Sequence, residues 1–373
     1  MPDHDVVIVG AGPVGLMLAC LLSQEGLRVA ACERRHQRDP RTRAIGIHRP
    51  GLDALDAAGI GAQIRAEALH LRGGEVRSRR RTLASLEFTP DRPVLIMPQP
   101  RTDALLRARL HALAPGALRP GHDVQTIHDD GGEVRVVVAA ADGPRELTAS
   151  CVVVADGVHS RLRAEMGFGW RRRGRRATYA MVDVADPEPG DRAVLHCEPG
   201  GLVESFPLPG GRRRWVVRQG ADAPLGTGAA FRAAVEERTG IRPGVSDDDR
   251  PSVFVAAQHA ARRLQRGRIV LLGDAAHEIS PIGGQGMNLG WTDAARLAAE
   301  LAHSVPGPMP DLGRYARKVG RSTRAAQRRT AFYMSMGAPA APAVVMPREI
   351  VMRAMGSRPL RSWSAGLITM KGL

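Results

Sequence analysis

A short apolar run followed at once by three spaced glycines constrains the fold of this chain more than any other feature. Residues 6–9 are apolar and mostly β-branched, which predicts a strand buried on both faces. Gly10, Gly12 and Gly15 follow. In a strand–turn–helix unit the first glycine permits a tight turn, the second lets the backbone approach a pyrophosphate, and the third lets the helix pack on the strand. The sequence therefore predicts an α/β fold that opens with a Rossmann-type dinucleotide-binding unit.

The residues after this turn complete the unit. A helix is predicted from residue 15 to about residue 25, and a second strand over residues 27–32. Glu33 then stands where an acidic side chain accepts hydrogen bonds from a ribose. Arg34 and Arg35 either indicate a 2'-phosphate, as in NADP, or are solvated arginines. The residues of this unit assigned to cofactor binding are Gly10, Gly12, Pro13, Val14, Gly15, Glu33 and Arg34.

A second glycine-rich element lies far downstream. Residues 268–272 form an apolar strand that ends at Gly273 and Asp274, and residues 283–288 offer backbone N–H groups at a helix start. Asp274 can accept a hydrogen bond from a ribityl hydroxyl, and N–H groups at a helix start stabilise negative charge on a reduced flavin. A nicotinamide dehydrogenase needs only the first element, so that alternative is disfavoured. A cofactor held at both ends fits FAD.

Three further segments make the chain resemble the class A FAD-dependent monooxygenases of the para-hydroxybenzoate hydroxylase type, including bacterial hydroxylases of aromatic polyketides and other natural products. The segments are residues 43–46, 97–103 and 152–163, and the last matches the Asp-Gly fingerprint of that family. The resemblance extends from about residue 5 to about residue 302. It implies a Rossmann-type FAD-binding domain, an interleaved mixed β-sheet substrate domain and a C-terminal helical tail.

The resemblance also implies roles for single residues. It puts Arg43 near the pyrophosphate and flavin, Gln99 and Arg101 at the ribityl chain and pyrophosphate, and Pro281 at the flavin edge that faces substrate. It assigns Asp156 to FAD, with a further link to NAD(P)H. The cofactor residues implied beyond the first unit are Arg43, Gln99, Arg101, Asp156, Gly157, Gly273, Asp274, Pro281, Gly284, Gln285, Gly286, Met287 and Asn288.

The implied activity is a monooxygenation driven by NADPH or NADH. The reductant reduces FAD, O2 adds to the flavin C4a, and the hydroperoxide transfers one oxygen atom to an aromatic or polyketide-like small molecule, in secondary metabolism. Because the cofactor carries this chemistry, no catalytic base is assigned, and Arg43, Pro281 and His277 are only candidates. His277 serves either a structural role or proton transfer. Asp293 either supports the flavin turn or contacts the cofactor.

Other activities of the same fold remain alternatives. They are Baeyer-Villiger oxidation, epoxidation, reduction of a double bond, and a non-redox flavin scaffold that templates a cyclisation. Motifs for FAD do not separate these reactions. We expect the protein to act as a monomer or a homodimer.

The order of signals predicts a discontinuous arrangement of domains. We expect an FAD-binding domain over residues 1–70, 98–170 and 261–310, a substrate domain over 71–97 and 171–260, and a helical segment over 311–373 whose last helix covers about 347–355. Candidates for the substrate pocket are Met181, Leu195, Val203, Ser205, Phe206 and Arg218. The alternative for the first five is that they only form the core of the sheet. Arg218 pairs either with a substrate carboxylate or phenolate or with a surface acid.

Charge and cysteine content argue against other classes of protein. The formal net charge is +15, but only two of the 53 basic residues are lysine and aromatic residues make up 3%. Stacking on bases therefore has little support, and no nucleic-acid partner is expected. The four cysteines lack CxxC spacing, which argues against a metal site and a redox-active disulfide. With no signal peptide and no membrane-spanning apolar run, we expect a cytoplasmic enzyme.

Overall fold

The structure is a computed structural model that describes residues 1–37, 44–220, 223–305, 309 and 311–372. The strands of this part of the chain are β1 (His4–Val9), β2 (Val29–Glu33), β3 (Gly46–His48), β4 (Leu69–His70), β5 (Gly73–Ser78), β6 (Arg81–Glu87), β7 (Val94–Ile96), β8 (Leu118–Pro120), β9 (Asp123–Asp129), β10 (Val134–Ala140), β11 (Gly143–Val154), β12 (Trp170–Arg172), β13 (Ala177–Ala185), β14 (Arg192–Glu198), β15 (Gly201–Leu208), β16 (Arg212–Arg218), β17 (Ser252–Ala256), β18 (His259–Ala261), β19 (Gln265–Arg266), β20 (Ile269–Leu271) and β21 (His277–Glu278).

Helices cover the two main sheets and form the C-terminal part of the molecule. They are α1 (Pro13–Gln24), α2 (Arg49–Ala57), α3 (Gly61–Glu67), α4 (Gln99–Leu113), α5 (Arg161–Glu165), α6 (Gly228–Thr239), α7 (Gly286–Ala302), α8 (Gly313–Met336), α9 (Pro342–Gly356) and α10 (Arg358–Ile368), with a short 3-10 helix at Gly273–Ala275. The predicted α/β class is confirmed.

The N-terminal strand β1 lies inside an eight-stranded sheet whose main path is β19-β20-β11-β1-β2-β8. It pairs in parallel with β2 and β11, and β11 pairs in parallel with β20. Val6 and Ile8 pack in one apolar core, while Val7 and Val9 pack in the core on the other face, so β1 is buried on both faces as predicted. Strands β2 and β11 lie on opposite sides of β1 in the sheet. The carboxyl end of β1 is therefore a topological switch point.

A second sheet of seven strands has the order β17-β13-β16-β15-β14-β5-β6. Its pairs are antiparallel except for β14 with β5, so it is the mixed sheet that the sequence predicted. One face packs on α6 through Val203, Trp215 and Phe231. The other face forms a core with Ile282, Met334 and α9. The central strands β13, β15 and β16 therefore divide their side chains between two buried faces.

The C-terminal segment is helical, as predicted, but its last helices differ from the expectation. The predicted helix over residues 347–355 begins earlier, at Pro342, and a further helix, α10, follows it. A proline in the first turn of a helix loses no hydrogen bond, so Pro342 and Pro359 are accommodated at the starts of α9 and α10. Pro347 lies within α9.

The remaining expectations concern a redox-active disulfide, a metal site and a membrane-spanning helix. Cys20, Cys32, Cys151 and Cys197 are buried and form no disulfide, and burial raises the pKa of the Cys151 thiol to about 12. The described residues contain no cluster of His, Cys, Asp and Glu side chains arranged to hold a metal ion. In the same part of the chain, no helix combines the length and apolarity needed to cross a bilayer.

Candidate functional site

The candidate site lies at the carboxyl ends of the parallel strands of the first sheet. Gly10 follows β1, Asp156 follows β11, and Gly273 follows β20. Parallel strands end at a common edge, so these turns are neighbours. Gly10 has a φ of 99°, and a Cβ there would lie 2.6 Å from the carbonyl oxygen of Ala155. Only glycine permits this approach of the β1 turn to the end of β11.

Glu33 holds the glycine turn in shape. Its Oε2 accepts a hydrogen bond from the backbone N–H of Ala11 at 3.0 Å, and its Oε1 accepts from the N–H of Arg35 at 3.1 Å. From α4, the guanidinium of Arg107 donates to the Ala11 carbonyl at 3.0 Å. Each carboxylate oxygen can accept a second bond, so the predicted contact of Glu33 with a ribose stays a prediction.

The two glycine-rich segments touch each other. The side chain of Val14 lies between Gly273 and Gly290: a Cβ at Gly273 would lie 3.1 Å from Val14 Cγ1, and one at Gly290 would lie 2.6 Å from Val14 Cγ2. On α7, the indole N–H of Trp291 donates to the Pro13 carbonyl at 3.1 Å. Residues far apart in the sequence therefore form one continuous cradle.

The cradle passes a steric test for a pyrophosphate-bearing cofactor. Among the described residues, no atom beyond the chain neighbours of Gly12 lies within 4 Å of the position that its Cβ would occupy, so this part of the structure leaves open space at the N-terminus of α1. At Gly15, three residues later, a Cβ would lie 2.0 Å from the Gly10 carbonyl oxygen. The first position leaves room for a ligand and the second allows close backbone packing, which are the roles predicted for these glycines. The residues present fit FAD.

His48 and Asn288 support the loop of residues 281–285 before α7, which we call the flavin loop. The sequence had not indicated His48. The Asn288 carboxamide accepts from the His48 N–H at 2.9 Å and donates to the carbonyls of Gly46 at 2.9 Å and Gly284 at 3.0 Å. The His48 imidazole lies against the Gly283 and Gly284 backbone, and burial lowers its pKa to about 4. This neutral ring and the amide join β3 to the start of α7.

We expect Asn288→Leu to weaken FAD binding at least about tenfold, because three backbone groups lose a partner and the loop before α7 loosens. The Kd for FAD, measured by fluorescence titration of the apoprotein, checks this. Thr292→Val is a matched control one helical turn along, since the Thr292 hydroxyl bonds only to the Asn288 carbonyl within the helix. Equal FAD affinity of Asn288→Leu and wild type would contradict the role assigned to Asn288.

His277 and Asp293 form a buried pair under the same loop. His277 is 2% exposed and its Nε2 lies 2.9 Å from Asp293 Oδ2. The other oxygen of Asp293 accepts from Arg296 at 3.1 Å, and the Asp293 side chain is fully buried. This burial and these partners favour the structural alternative for His277 and for Asp293.

Arg163 links the Asp-Gly fingerprint to the segment that follows β20. Its guanidinium donates to the carbonyls of Ala275 at 3.2 Å and Val158 at 2.9 Å. It also lies 3.6 Å from the centroid of the Trp170 ring, which is stacked on His259. A buried arginine held in this way stabilises the relative position of the two cofactor segments.

The other predicted cofactor residues border the cradle in different ways. Asp156, Asp274, Pro281 and Arg34 are exposed, Gly157 follows β11, and Gln99 starts α4. Gln285, Gly286 and Met287 lie at the start of α7. Arg101 instead forms a two-bond ion pair with Glu67, at 2.5 and 2.7 Å, so its contact with FAD stays a prediction. Arg43 lies outside the described residues.

Strand alternation separates the predicted substrate-pocket residues. Met181 and Leu195 pack toward Ile282, next to Pro281, and Phe206 shares their face of the sheet. Val203 and Ser205 point to the opposite face, where Val203 packs under α6 and Ser205 accepts from Arg213 at 2.6 Å. Their predicted place in the pocket wall is therefore wrong.

Among the described residues Arg218 has no acidic partner, and its pairing with a substrate carboxylate or phenolate stays a prediction. Its guanidinium donates to the Met334 carbonyl at 2.8 Å and lies 6.0 Å from the centroid of the Tyr179 ring. The arginine therefore joins the second sheet to the end of α8.

Comparison with known proteins agrees with this site. Residues 3–327 match the FAD binding domain family, so the chain belongs to that family. Over 325 residues it is 35% identical to an anhydrotetracycline monooxygenase of Streptomyces rimosus, covering 82% of this chain and 64% of that protein. It is 32% identical to a 3-(3-hydroxy-phenyl)propionate/3-hydroxycinnamic acid hydroxylase of Comamonas testosteroni, covering 82% of this chain and 53% of that one.

A solved structure shows the same architecture. The anhydrotetracycline hydroxylase OxyS from Streptomyces rimosus superimposes with a TM-score of 0.81 at 31% identity, covering 99% of this chain and 76% of that one. The chain spans less than two thirds of the length of the two curated relatives named above.

Proposed function

We propose that this chain is an FAD-dependent, NAD(P)H-driven monooxygenase that inserts one atom of O2 into an aromatic or polyketide-like small molecule, in secondary metabolism. The observation that carries the proposal is the contact of the two glycine-rich segments through Val14 and Trp291. Such a cradle suits a cofactor anchored at both ends. Beside the cradle, the face of the second sheet that carries Met181 and Leu195 packs toward Ile282.

When bound, FAD supplies the redox chemistry and the activation of O2. The chain binds and orients it: the N-terminus of α1 at Gly12 offers N–H groups to the pyrophosphate. Asp156 and Asp274 accept hydrogen bonds from hydroxyl groups. The N–H groups at the start of α7 would stabilise negative charge on the reduced ring.

The sheet pairing supports the proposed division into domains. We propose an FAD-binding domain of residues 1–70, 98–170 and 261–310, a substrate domain of 71–97 and 171–260, and a C-terminal segment of 311–373. Strands β5 and β6 pair into the sheet of β13–β17, across a long stretch of sequence. Strand β7, which lies inside the proposed 71–97 segment, pairs instead with β3 and β4 in a separate small sheet.

The relatives support an oxygenated aromatic substrate. One relative is named for anhydrotetracycline and another for hydroxyphenyl propionate. In this chain the pocket wall is apolar at Met181, Leu195 and Phe206. Such a wall suits the rings of an aromatic or fused polycyclic compound.

The reductant and cellular setting complete the proposal. NADPH or NADH delivers the electrons, and O2 is the second substrate. Buried, unpaired cysteines fit a reducing cytoplasm. The enzyme acts as a monomer or a homodimer.

Isotope labelling tests this function. The reconstituted holoenzyme is incubated with NADPH, isotopically labelled O2 and a panel of polycyclic phenols, and the products are analysed by mass spectrometry. We expect one labelled oxygen atom in a product, with NADPH consumed. Conversion of a compound without label or NADPH consumption would contradict the proposal and favour the non-redox scaffold.

A further inference from the structure

One acidic side chain lies in the apolar wall of the proposed substrate pocket. In the second sheet, Met181 pairs with Val216, Val216 with Glu204, and Glu204 with Leu195. Residues directly opposite each other on neighbouring strands point to the same face. Glu204 therefore shares a face with Met181 and Leu195, in the middle of a row of apolar side chains.

This face is turned toward the flavin loop. Val216, in the strand next to Glu204, belongs to the same apolar cluster as Ile282, which follows Pro281. Met181 and Leu195 pack against this cluster but stay partly exposed, whereas Glu204 is 3% exposed. The carboxyl group thus lies deep in a wall whose neighbouring side chains still border open space.

One oxygen of the Glu204 carboxyl group lacks a hydrogen-bond partner in the described part of the chain. This atom, Oε1, is buried. Burial alone raises the pKa of Glu204 to about 8, so the group is mainly neutral at pH 7. A buried polar atom without a partner costs about 1–3 kcal/mol, and such an atom in a native structure calls for a ligand or another explanation.

Three arginines near this face have partners among the described residues, but only one of these partners is an acid. Arg214 pairs with Asp183 at 2.6 Å, Arg218 donates to the Met334 carbonyl, and Arg348 donates to the Cys197 carbonyl at 2.8 Å. Glu349 of α9 is held by Arg79 at 2.6 Å. The apolar cluster on this face also contains Tyr179, Cys197 and Tyr333. Burial raises the pKa of each of these three to about 12, so all three are neutral.

We propose that Glu204 is a substrate-binding residue that hydrogen-bonds a neutral hydroxyl or ketone oxygen of the aromatic substrate and thereby selects against aromatic carboxylates. The inference rests on the proposed function. A neutral carboxyl group has one O–H donor and a carbonyl acceptor, which match a phenol or a ketone. A substrate carboxylate placed against Glu204 would be buried with no cation beside it, since burial is the only cause of the raised Glu204 pKa and no neighbouring cation lowers it.

Three ligands that share one ring system test this assignment. The FAD-loaded protein is titrated with 1-naphthol, naphthalene and 1-naphthoate, and Kd is obtained from the change in flavin absorption. We expect wild type to bind 1-naphthol about tenfold more tightly than either of the other two, as one hydrogen bond in a buried site predicts. Glu204→Leu should weaken 1-naphthol binding about tenfold and leave naphthalene binding unchanged.

Two variants control for indirect effects. Glu204→Gln keeps a donor and an acceptor, so we expect its Kd for 1-naphthol to stay within about threefold of wild type. Ser205→Ala changes the next residue of β15, which points to the opposite face, and should leave all three affinities unchanged. Equal 1-naphthol affinity of Glu204→Leu and wild type would overturn the assignment, as would wild type that prefers 1-naphthoate or binds no 1-naphthol.

Infrared difference spectroscopy gives a readout that does not depend on the leucine variant. The C=O stretch of a protonated carboxyl group should shift when 1-naphthol binds to wild type at pH 7, and this signal should be absent in Glu204→Gln. Absence of a ligand-sensitive carboxyl band in wild type would overturn the inference. Oxygen labelling with other substrates would still test the proposed function, so the two failures are distinguishable.

Discussion

Gly12→Val is expected to fold like wild type and yet to retain no FAD. Gly12 has φ −74° and ψ −179°, a conformation that any residue adopts. Because no atom of the described residues beyond its chain neighbours lies within 4 Å of its Cβ position, the added side chain should project into the space assigned to the pyrophosphate. Loss of the phosphate contacts at the start of α1 should lower FAD affinity about 100-fold or more.

Gly15→Val is the matched comparison, three residues along the same turn. Its Cβ would lie 2.0 Å from the Gly10 carbonyl oxygen, so the backbone of β1 and α1 must separate. We expect this variant to lose both stability, by several kcal/mol, and FAD. Thermal unfolding and flavin content after reconstitution measure the two effects. A Gly12→Val protein that stays yellow, or one that unfolds as readily as Gly15→Val, would contradict the cradle.

Asp293→Ala is expected to lower the free energy of unfolding by about 3–5 kcal/mol, the cost of removing one partner from a buried polar cluster. His277 Nε2 and Arg296 lose their common acceptor, and His277 is 2% exposed, so water does not replace it. His277 lies four residues after Gly273, in the segment predicted to contact the cofactor. Loss of its hydrogen bond to Asp293 should therefore also weaken flavin retention. Urea unfolding of the holoprotein measures the first effect.

Asp293→Asn separates charge from hydrogen bonding at the same position. The amide oxygen still accepts a hydrogen bond, so we expect a smaller loss of stability than in Asp293→Ala. His277→Phe should lose stability while the rate of NADPH oxidation per bound flavin stays near that of wild type, because His277 bonds Asp293 rather than substrate. A large fall in that rate at unchanged stability would assign His277 to proton transfer instead.

The first sheet and its cofactor turns could be predicted from the sequence because their signals are local. The apolar run of β1 and the glycines after it specify a strand, a turn and a helix within a few residues. The contact of Val14 with Gly273 could be expected only through the idea of a cofactor held at both ends. The family match over residues 3–327 agrees with that idea.

The pocket wall could be predicted only in part. In β15 most residues on both faces are buried, under α6 on one side and beneath Ile282 and α8 on the other. Strand alternation shows that Val203 and Glu204 point to opposite faces of the sheet. An alternating apolar–polar pattern normally indicates which face is exposed to solvent, but both faces of β15 are buried, so the pattern does not identify the pocket face. Val203 and Ser205 were therefore placed on the wrong face, and Glu204 was not selected.

Long-range contacts account for the other residues that the sequence did not reveal. His48 reaches Gly284 and Asn288 from β3, and Arg107 reaches Ala11 from α4. No spacing rule links these positions, because each contact depends on how the helices pack on the sheet. The helix α10 was not predicted; it carries Pro359 in its first turn, where proline is well accommodated.

Anaerobic reduction of the purified, FAD-reconstituted protein tests the central claim most directly. The flavin absorption is followed after NADPH is added, with and without a polycyclic phenol. The account predicts one FAD per chain and bleaching of the flavin bands that is faster with a phenol that binds at the wall of Met181 and Leu195. A protein that binds no FAD on reconstitution, or whose flavin neither NADPH nor NADH bleaches with any phenol present, would contradict it.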